Sequence, residues 1–433
     1  MSEHIPPAPA IDPTPGAAPP DSSGFFAALG PGLVTGAADD DPSGIATYSQ
    51  VGAQFGYGLA WTMLFSFPLM TVIQAISARI GCVTGYGIAQ NLRRHYSPWL
   101  LRAVVLLLLV ANVVNLGADL GAMGAALQLL IGGPAQIYAV AFGIACIALE
   151  VFVSYARYAT VLKWITLSLF AYVGVVFAAH VDWGEALRGT LIPSFVFDRA
   201  HATALVAVLG TTISPYLFFW QAGQEVEELH RRHVKPLCIT PRTAGPELTR
   251  IRTDTIVGMG VSNLIAIFII FATAATLHAS GVTDIQTSAQ AAEALRPIAG
   301  AATFALFALG IVGTGMLAVP VLAGSAAYAV SETAGWVAGL DRRLREAKTF
   351  YATIAGATLL GAALNFTPLD PIKALYWSAV LNGLLAAPLM AVMMVIAVDK
   401  RIMGRLALPW PMIIGGWLAT LVMALASIGF FVF

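Results

Sequence analysis

The sequence predicts an all-α integral membrane protein: an inverted repeat of five plus five transmembrane helices with an eleventh added, the first and sixth broken. Three observations carry that prediction. The 433 residues are 58% hydrophobic and only 11% charged, against roughly 25% charged in a soluble domain. Apolar runs of about 20 residues, long enough to cross a hydrocarbon core at about 1.5 Å per residue, recur along nearly the whole chain. Two of those runs, the first and the sixth, are interrupted mid-span by proline.

The chain opens on residues 1–23, "MSEHIPPAPAIDPTPGAAPPDSS", which are proline-rich and free of Lys and Arg. They lack the charged start of a secretory signal and read as a disordered cytoplasmic tail. Eleven spans follow, at 25–50, 57–80, 101–130, 136–155, 159–179, 203–228, 254–278, 300–331, 347–367, 371–397 and 408–432. They divide the chain into a first repeat over 24–200, a second over 201–400 and the eleventh helix in 401–433. With the tail inside, only Arg188, Arg199, Arg296 and Lys373 fall in outward loops, which leaves nineteen of the 23 Lys and Arg residues on the cytosolic side. One missed span would invert every later loop, so this asymmetry supports both the count and the orientation, with the C-terminus outside.

The interruptions locate a site. In the first span, "GAADDDPSGIATY" sets Asp39, Asp40 and Asp41 against Pro42 and Gly44; in the sixth, "GTTISPYLFFW" places Pro215 five residues after Gly210. A proline removes a backbone donor and breaks the helix, and proline kinks are common enough in membrane helices to mean little singly. Breaks at matching positions of two halves are the signature of a LeuT-like inverted repeat. There the half-helix ends and freed carbonyls form a substrate site near the midplane. An intramembrane carboxylate at such a break adds its charge to the freed carbonyls and makes a cation cage. The structural alternative for Asp41 is an N-cap of the second half-helix. Adjacent helical residues lie about 100° apart, so the three aspartates cannot all face one ion. One of Asp39 and Asp40 is expected to line an aqueous path from outside, where its charge would concentrate cations.

The stretch "GPGLVTGAADDDPSGIATYSQVGA" resembles the first helix of the NRAMP divalent-metal transporters, whose motif is D-P-G-N. "IQAISARIGCVTGYGIAQ", "GADLGAMGAALQLLIG", "LGTTISPYLFFWQA", "LHASGV" and "DKRIMG" keep the order and spacing of further family stretches, so the resemblance covers residues 30 to 405. It implies a metal held by the Asp and Asn of D-P-G-N, the Met of M-P-H and backbone carbonyls at both breaks. Asp41 matches the Asp and Ala38 falls at the first-break carbonyl position. Gly44 occupies the Asn position, Ser214 the Met position, and Tyr216 replaces the His. A thioether favours transition metals, whereas oxygen ligands suit hard ions. Its loss, with the room left at Gly44 for a partly hydrated ion, resembles the magnesium-transporting branch of the family. The family's helix-three acidic pair becomes Leu116 and Asp119, and its second helix-six histidine becomes Gln221. The proton relay is therefore expected to be absent, with Asp119 the one proton-pathway candidate.

Thr211 and Ser214 lie three apart across the sixth-span break and can present a hydroxyl or a carbonyl each; their ordinary alternative is a bond to their own backbone at i−4. Asn382 falls near a position where the family places a polar ligand. Glu225, Glu227 and Glu228 read as a solvated helix end or an exit vestibule, and Glu150 as a partner for a nearby base. Cys82, Cys146 and Cys238 are scattered, so neither a disulfide framework nor a thiolate site is expected. The seven His residues do not cluster, and there is no nucleotide loop, nucleophile motif or zinc spacing. No enzyme, cofactor or nucleic-acid partner is expected. The expectation is a monomeric plasma-membrane carrier whose substrate is Mg²⁺ and also Mn²⁺, without proton coupling. A proton-coupled Mn²⁺/Fe²⁺ symporter and an organic-substrate carrier of the same fold are the alternatives.

Overall fold

The computed structural model describes residues 31–153, 169–368 and 370–433. The expected tail, residues 25–30 of the first span, the last two residues of the fourth, Arg157 in the loop after it, and the start of the fifth with Lys163 lie outside the described residues. Those described form helices and turns only. In chain order the main helices are α1 Pro31–Asp39, α2 Pro42–Phe55, α3 Trp61–Thr84, α4 Ile88–His95, α5 Pro98–Ile131, α6 Ala135–Phe152, α7 Phe170–Ala178 and α8 Trp183–Leu191. The second half follows with α9 Arg199–Thr212, α10 Pro215–Arg231, α11 Ala244–Thr276, α12 Thr303–Ala334, α13 Lys348–Leu364, α14 Pro371–Val398 and α15 Trp410–Val432.

Eight helical stretches among the described residues are long and apolar enough to cross a bilayer. The broken pair α1 and α2, the described end of the fifth span in α7, and α13 occupy the remaining expected positions. The breaks fall where proline dictates. Pro42 and Pro215 each stand at the first position of the second half-helix, where the missing N–H costs nothing and φ is already set. By contrast Pro68, Pro320 and Pro388 are carried inside α3, α12 and α14.

Packing reproduces the repeat. Half-helix α1 packs on α11, the seventh span, while α10 packs on α3, the second span. These are reciprocal contacts, each broken helix laying one half on the second helix of the other repeat. Close approach requires glycine. A Cβ on Gly36 would stand 2.2 Å from the Gly258 carbonyl oxygen of α11, and one on Gly210 would stand 2.1 Å from the Ala379 carbonyl oxygen of α14. Small residues of this kind let membrane helices meet backbone to backbone. Elsewhere α5 is the hub, packing against α6, α12, α13 and α14.

Candidate metal site at the two helix breaks

All three aspartates are buried: Asp39, Asp40 and Asp41 are 1%, 3% and 2% exposed. Asp41 makes the cap considered for it and also reaches the second break. Its Oδ1 accepts the Gly44 N–H at 2.6 Å, capping α2, and its Oδ2 faces the Tyr216 hydroxyl across the second break at 3.5 Å. The Tyr216 hydroxyl donates to the Ala38 carbonyl at 3.1 Å, so the residue standing in the family's histidine place ties the two breaks together. Asp39 and Asp40 turn toward α11, where the Ser262 hydroxyl lies 2.8 Å from Asp39 Oδ2 and 3.1 Å from Asp40 Oδ1. Neither lines an open path, contrary to the reading that one of them does, because α11 covers that face of α1 and α2.

The Gly44 position is ringed by oxygen. The point that a Cβ would occupy lies 3.2 Å from the Asp39 carbonyl oxygen, 3.2 Å from Thr211 Oγ1 and 3.4 Å from Asp41 Oδ1. This is a closer fit than the spare room expected at Gly44. Thr211 thus meets the first break across the second. Ser214 makes the back-bond considered for it, its hydroxyl lying 2.9 Å from both the Gly210 and Thr211 carbonyls. Donating that proton leaves the hydroxyl oxygen its lone pairs. Asp119 of α5, fully buried, faces Asp41 and the Ser43 backbone. Asn382 of α14 lies beside Gly383, whose backbone abuts Gly210 of α9; its Nδ2 has no partner among the described residues.

Around the breaks, Asp39 Oδ1, Ser43 Oγ, Thr47 Oγ1, the Tyr48 hydroxyl and both Asp119 carboxylate oxygens are buried without a hydrogen-bond partner among the described residues. Buried polar atoms are nearly always paired, so a concentration of unpaired oxygens beside a helix break is what a cation and its water satisfy. Every atom in that set is an oxygen. Tyr48, which faces Thr211 and the aspartates, was not singled out from the sequence. Its signal was there: it falls seven residues after Asp41, two helical turns along the same face. Ser262 gave no comparable signal, because only the packing of α11 on α1 brings it to the aspartates.

A cavity of ≈ 540 Å³ opens beside α2, α9 and α14 and reaches Ala46, five residues from Asp41. The opposite end is closed. Asp254 of α11 accepts the Gly32 N–H at 2.7 Å and the Leu33 N–H at 3.1 Å, capping α1. Thr35 of α1 donates to Gln221 of α10. Glu225 and Glu227 are no solvated helix end. Glu225 pairs with Arg250 at 2.7 Å, and Glu227 accepts the Leu340 N–H at 2.6 Å and the Tyr328 hydroxyl. Their helix end is covered by α11 and the segment after α12, so both carboxylates are buried. Glu228 forms the ordinary helical pair with Arg231 at 3.0 Å. Glu150 was expected beside a base, yet neither of its oxygens finds a partner among the described residues.

Comparison with known proteins decides the family. Residues 32–433 match the family model described as "Natural resistance-associated macrophage protein-like". The chain belongs to the Nramp family. That family is one of membrane metal transporters, not of enzymes, and uses no cofactor. Among its relatives, the "Divalent metal cation transporter MntH" of Burkholderia ambifaria is 27% identical over 410 residues, 91% of this chain and 86% of the relative. That of Granulibacter bethesdensis is 26% identical, over 66% of this chain and 64% of its own length. Among solved structures, the manganese transporter of Eremococcus coleocola, in complex with an aromatic bis-isothiourea substituted compound, superposes with a TM-score of 0.74. The identity is 17%, over 95% of this chain and 88% of that one. The nucleobase-cation-symport transporter Mhp1 superposes with a TM-score of 0.51, at 15% identity over 93% and 92% of the two chains. These likenesses establish the LeuT-type Nramp fold, as the two breaks predicted.

Proposed function

We propose that this Nramp-family chain takes up divalent cations, Mg²⁺ and also Mn²⁺, by alternating access and without coupled protons. One observation carries the reading: Asp39, Ser43, Thr47, Tyr48 and Asp119 turn unpaired buried oxygens toward the breaks, and Ser214, with its hydroxyl, stands where a thioether would. Mg²⁺ takes oxygen ligands and sheds water reluctantly, whereas a thioether would favour softer ions. The ion is held by Asp41, with Thr211, Ser214 and the Ala38 carbonyl completing its shell directly or through water. Gly44 keeps the approach free of a side chain, while Asp40 and Asn382 are supporting polar groups.

The path follows from which end is open. With the N-terminus in the cytosol and the C-terminus outside the plasma membrane, the cavity beside α2 faces outward and the Asp254 and Glu225–Arg250 contacts close the cytosolic end. An ion enters the cavity, is held between the breaks, and leaves when α1 swings from α11. A divalent ion moving inward across 100 mV gains about 4.6 kcal/mol, from about 2.3 per charge, so uptake needs no second ion. One protomer contains the whole site, and we read the monomer as the working unit.

A second reading, a proton-coupled Mn²⁺ carrier, is favoured by Asp119, a buried carboxylate facing Asp41. Purified protein in liposomes with internal Mg²⁺, Mn²⁺ and pH dyes separates the two. The first requires metal entry without acidification; entry of neither ion removes both.

A further inference from the structure

The cavity beside α2 carries a charge of the wrong sign for a cation mouth. Its walls include Gln50 of α2, Arg199 of α9, Asp284 of the segment after α11, and Lys373, Tyr376 and Trp377 of α14. Arg199 and Lys373 are two of the four basic residues that the charge pattern places outside, and they converge on this one cavity. Each stands in the first turn of its helix, against the positive end of the dipole, where a carboxylate is favoured and a cation is not. Two such exceptions on one cavity mark a functional site rather than a structural preference.

Their neighbours do not neutralise them. Asp198, the cap of α9, accepts the His201 N–H at 2.8 Å and pairs with the His201 ring at 2.9 Å. Asp370, the cap of α14, accepts the Ile372 N–H at 2.9 Å and the Lys373 N–H at 3.3 Å through one oxygen. Asp284 receives the Gln286 amide at 3.1 Å and is the one carboxylate among the residues lining the cavity. Among the described residues, neither Arg199 nor Lys373 side chain makes a salt bridge, whereas Arg296, also on this side, pairs with Glu293 at 2.7 Å. Two cations therefore face a polar cavity that also offers the Gln50 amide and a wall made by the Tyr376 and Trp377 rings.

We propose that this cavity is a binding site for a small multivalent oxyanion, of polycarboxylate or phosphate type, held between Arg199 and Lys373. A guanidinium takes a carboxylate or phosphate by paired N–H donors, and the Lys373 ammonium adds a second point charge. The aromatic wall suits a carbon skeleton, which inclines the site toward the polycarboxylate. Occupancy cancels the positive mouth that an entering divalent cation otherwise meets. The proposal concerns the vestibule and stands whether or not the metal assignment above holds.

The test uses the full-length protein in detergent and metal-free buffer, titrated calorimetrically with citrate and, separately, with inorganic phosphate at constant ionic strength. Chloride and gluconate are the controls. Saturable binding of citrate alone assigns a polycarboxylate; of phosphate alone, phosphate; of both, the shared oxyanion chemistry. Arg199→Gln with Lys373→Gln should weaken that binding at least about tenfold, which is about 1.4 kcal/mol. The charge-preserving pair Arg199→Lys with Lys373→Arg guards against misfolding and should stay within several-fold of the parent protein. No saturable binding of either anion at millimolar concentration, or undiminished binding by a folded double-Gln variant, overturns the proposal.

Discussion

Replacing Asp254 with Asn isolates the contact that fastens α1 to α11. The two carboxylate oxygens each accept one backbone N–H, from Gly32 at 2.7 Å and from Leu33 at 3.1 Å. Asn keeps one acceptor and turns an amide N–H₂ toward the other donor, so at least one hydrogen bond to a charged group is lost, about 1.5–3 kcal/mol. The charge that complements the positive end of α1 goes with it, about 0.3–1 kcal/mol. Allowing for partial rearrangement, the state in which α1 is latched to α11 loses about 2–3 kcal/mol, while a state with α1 swung free has no such contact to lose. At about 1.4 kcal/mol per decade the equilibrium shifts roughly 30- to 150-fold toward opening. The assay is labelling of a cysteine placed at Ala37, on a background lacking Cys82, Cys146 and Cys238, by an impermeant reagent applied from the cytosolic side. The labelling rate should rise at least about tenfold, in line with that shift. An unchanged rate, in a variant that is folded and inserted, refutes the latch.

The remaining expectations concern the site and its surroundings. Asp41→Ala should abolish Mg²⁺ and Mn²⁺ flux in liposomes while the protein stays folded, and near-normal flux removes Asp41 from the ligand set. Ser214→Met with Gly44→Asn should lower the ability of Mg²⁺ to block Mn²⁺ uptake. The new Cβ at 44 meets three oxygens at 3.2–3.4 Å and requires small adjustments, so Ser214→Met alone is the control in which the Gly44 position is unchanged. An unchanged Mg²⁺/Mn²⁺ ratio in active protein shows that selectivity lies elsewhere. Internal pH should not fall during metal entry with the membrane potential clamped; acidification that vanishes in Asp119→Asn establishes the proton-coupled reading. In the loop after α14, hydrogen bonding to Arg401 holds the Asp399 carboxyl down from 3.8 to about 2. The depressed value means that its contribution is present above the ordinary carboxylate range and is lost as pH falls through about 2. Thermal stability of wild type relative to Asp399→Asn should therefore be constant between pH 5 and 7, and a divergence in that window contradicts the assignment.

What could be read from the sequence, and what could not, divides by the range of the interaction. The breaks were legible because proline acts on its own backbone: Pro42 and Pro215 each open a half-helix whatever surrounds them. The spans were legible because hydropathy is local, and the family because its motifs are short. The place of Asp41 between the two breaks was legible because a carboxylate beside a break is unusual in itself. The acids that were misread are those whose role is set by a distant segment. Glu227 looks like a solvated helix end until Leu340 and Tyr328 arrive from more than a hundred positions away. Asp254 drew no notice because nothing adjacent to it in sequence needs a cap; the N–H groups that it satisfies belong to α1, 222 and 221 residues earlier. The Gly44 position shows the same limit in volume, since glycine suggested room and only the fold brings Thr211 against it.

Half-helix α1 joins the proposed metal site to the proposed gate. It has nine residues, which at about 1.5 Å per residue makes a rod of roughly 14 Å. Its first turn is clamped by Asp254, its middle is bonded to Gln221 through Thr35, and its last turn carries the Ala38 carbonyl and leads into Asp41. A rod so short does not bend appreciably, so a change at one end is a rotation of the whole. Tyr216, bonded to Ala38 and facing Asp41, fixes that end to α10. An ion bound between the breaks therefore acts on the clamp through one rigid element, and no relay of side chains is required. On this reasoning Tyr216→Phe should change coupling rather than affinity alone. Without the hydroxyl, the site end of α1 loses its tie to α10 and only the Thr35–Gln221 bond in its middle remains, and labelling at position 37 should become insensitive to Mg²⁺ while still rising in Asp254→Asn. Labelling of the Phe variant that responds to Mg²⁺ as the parent does would show that the ion reaches the gate by another route.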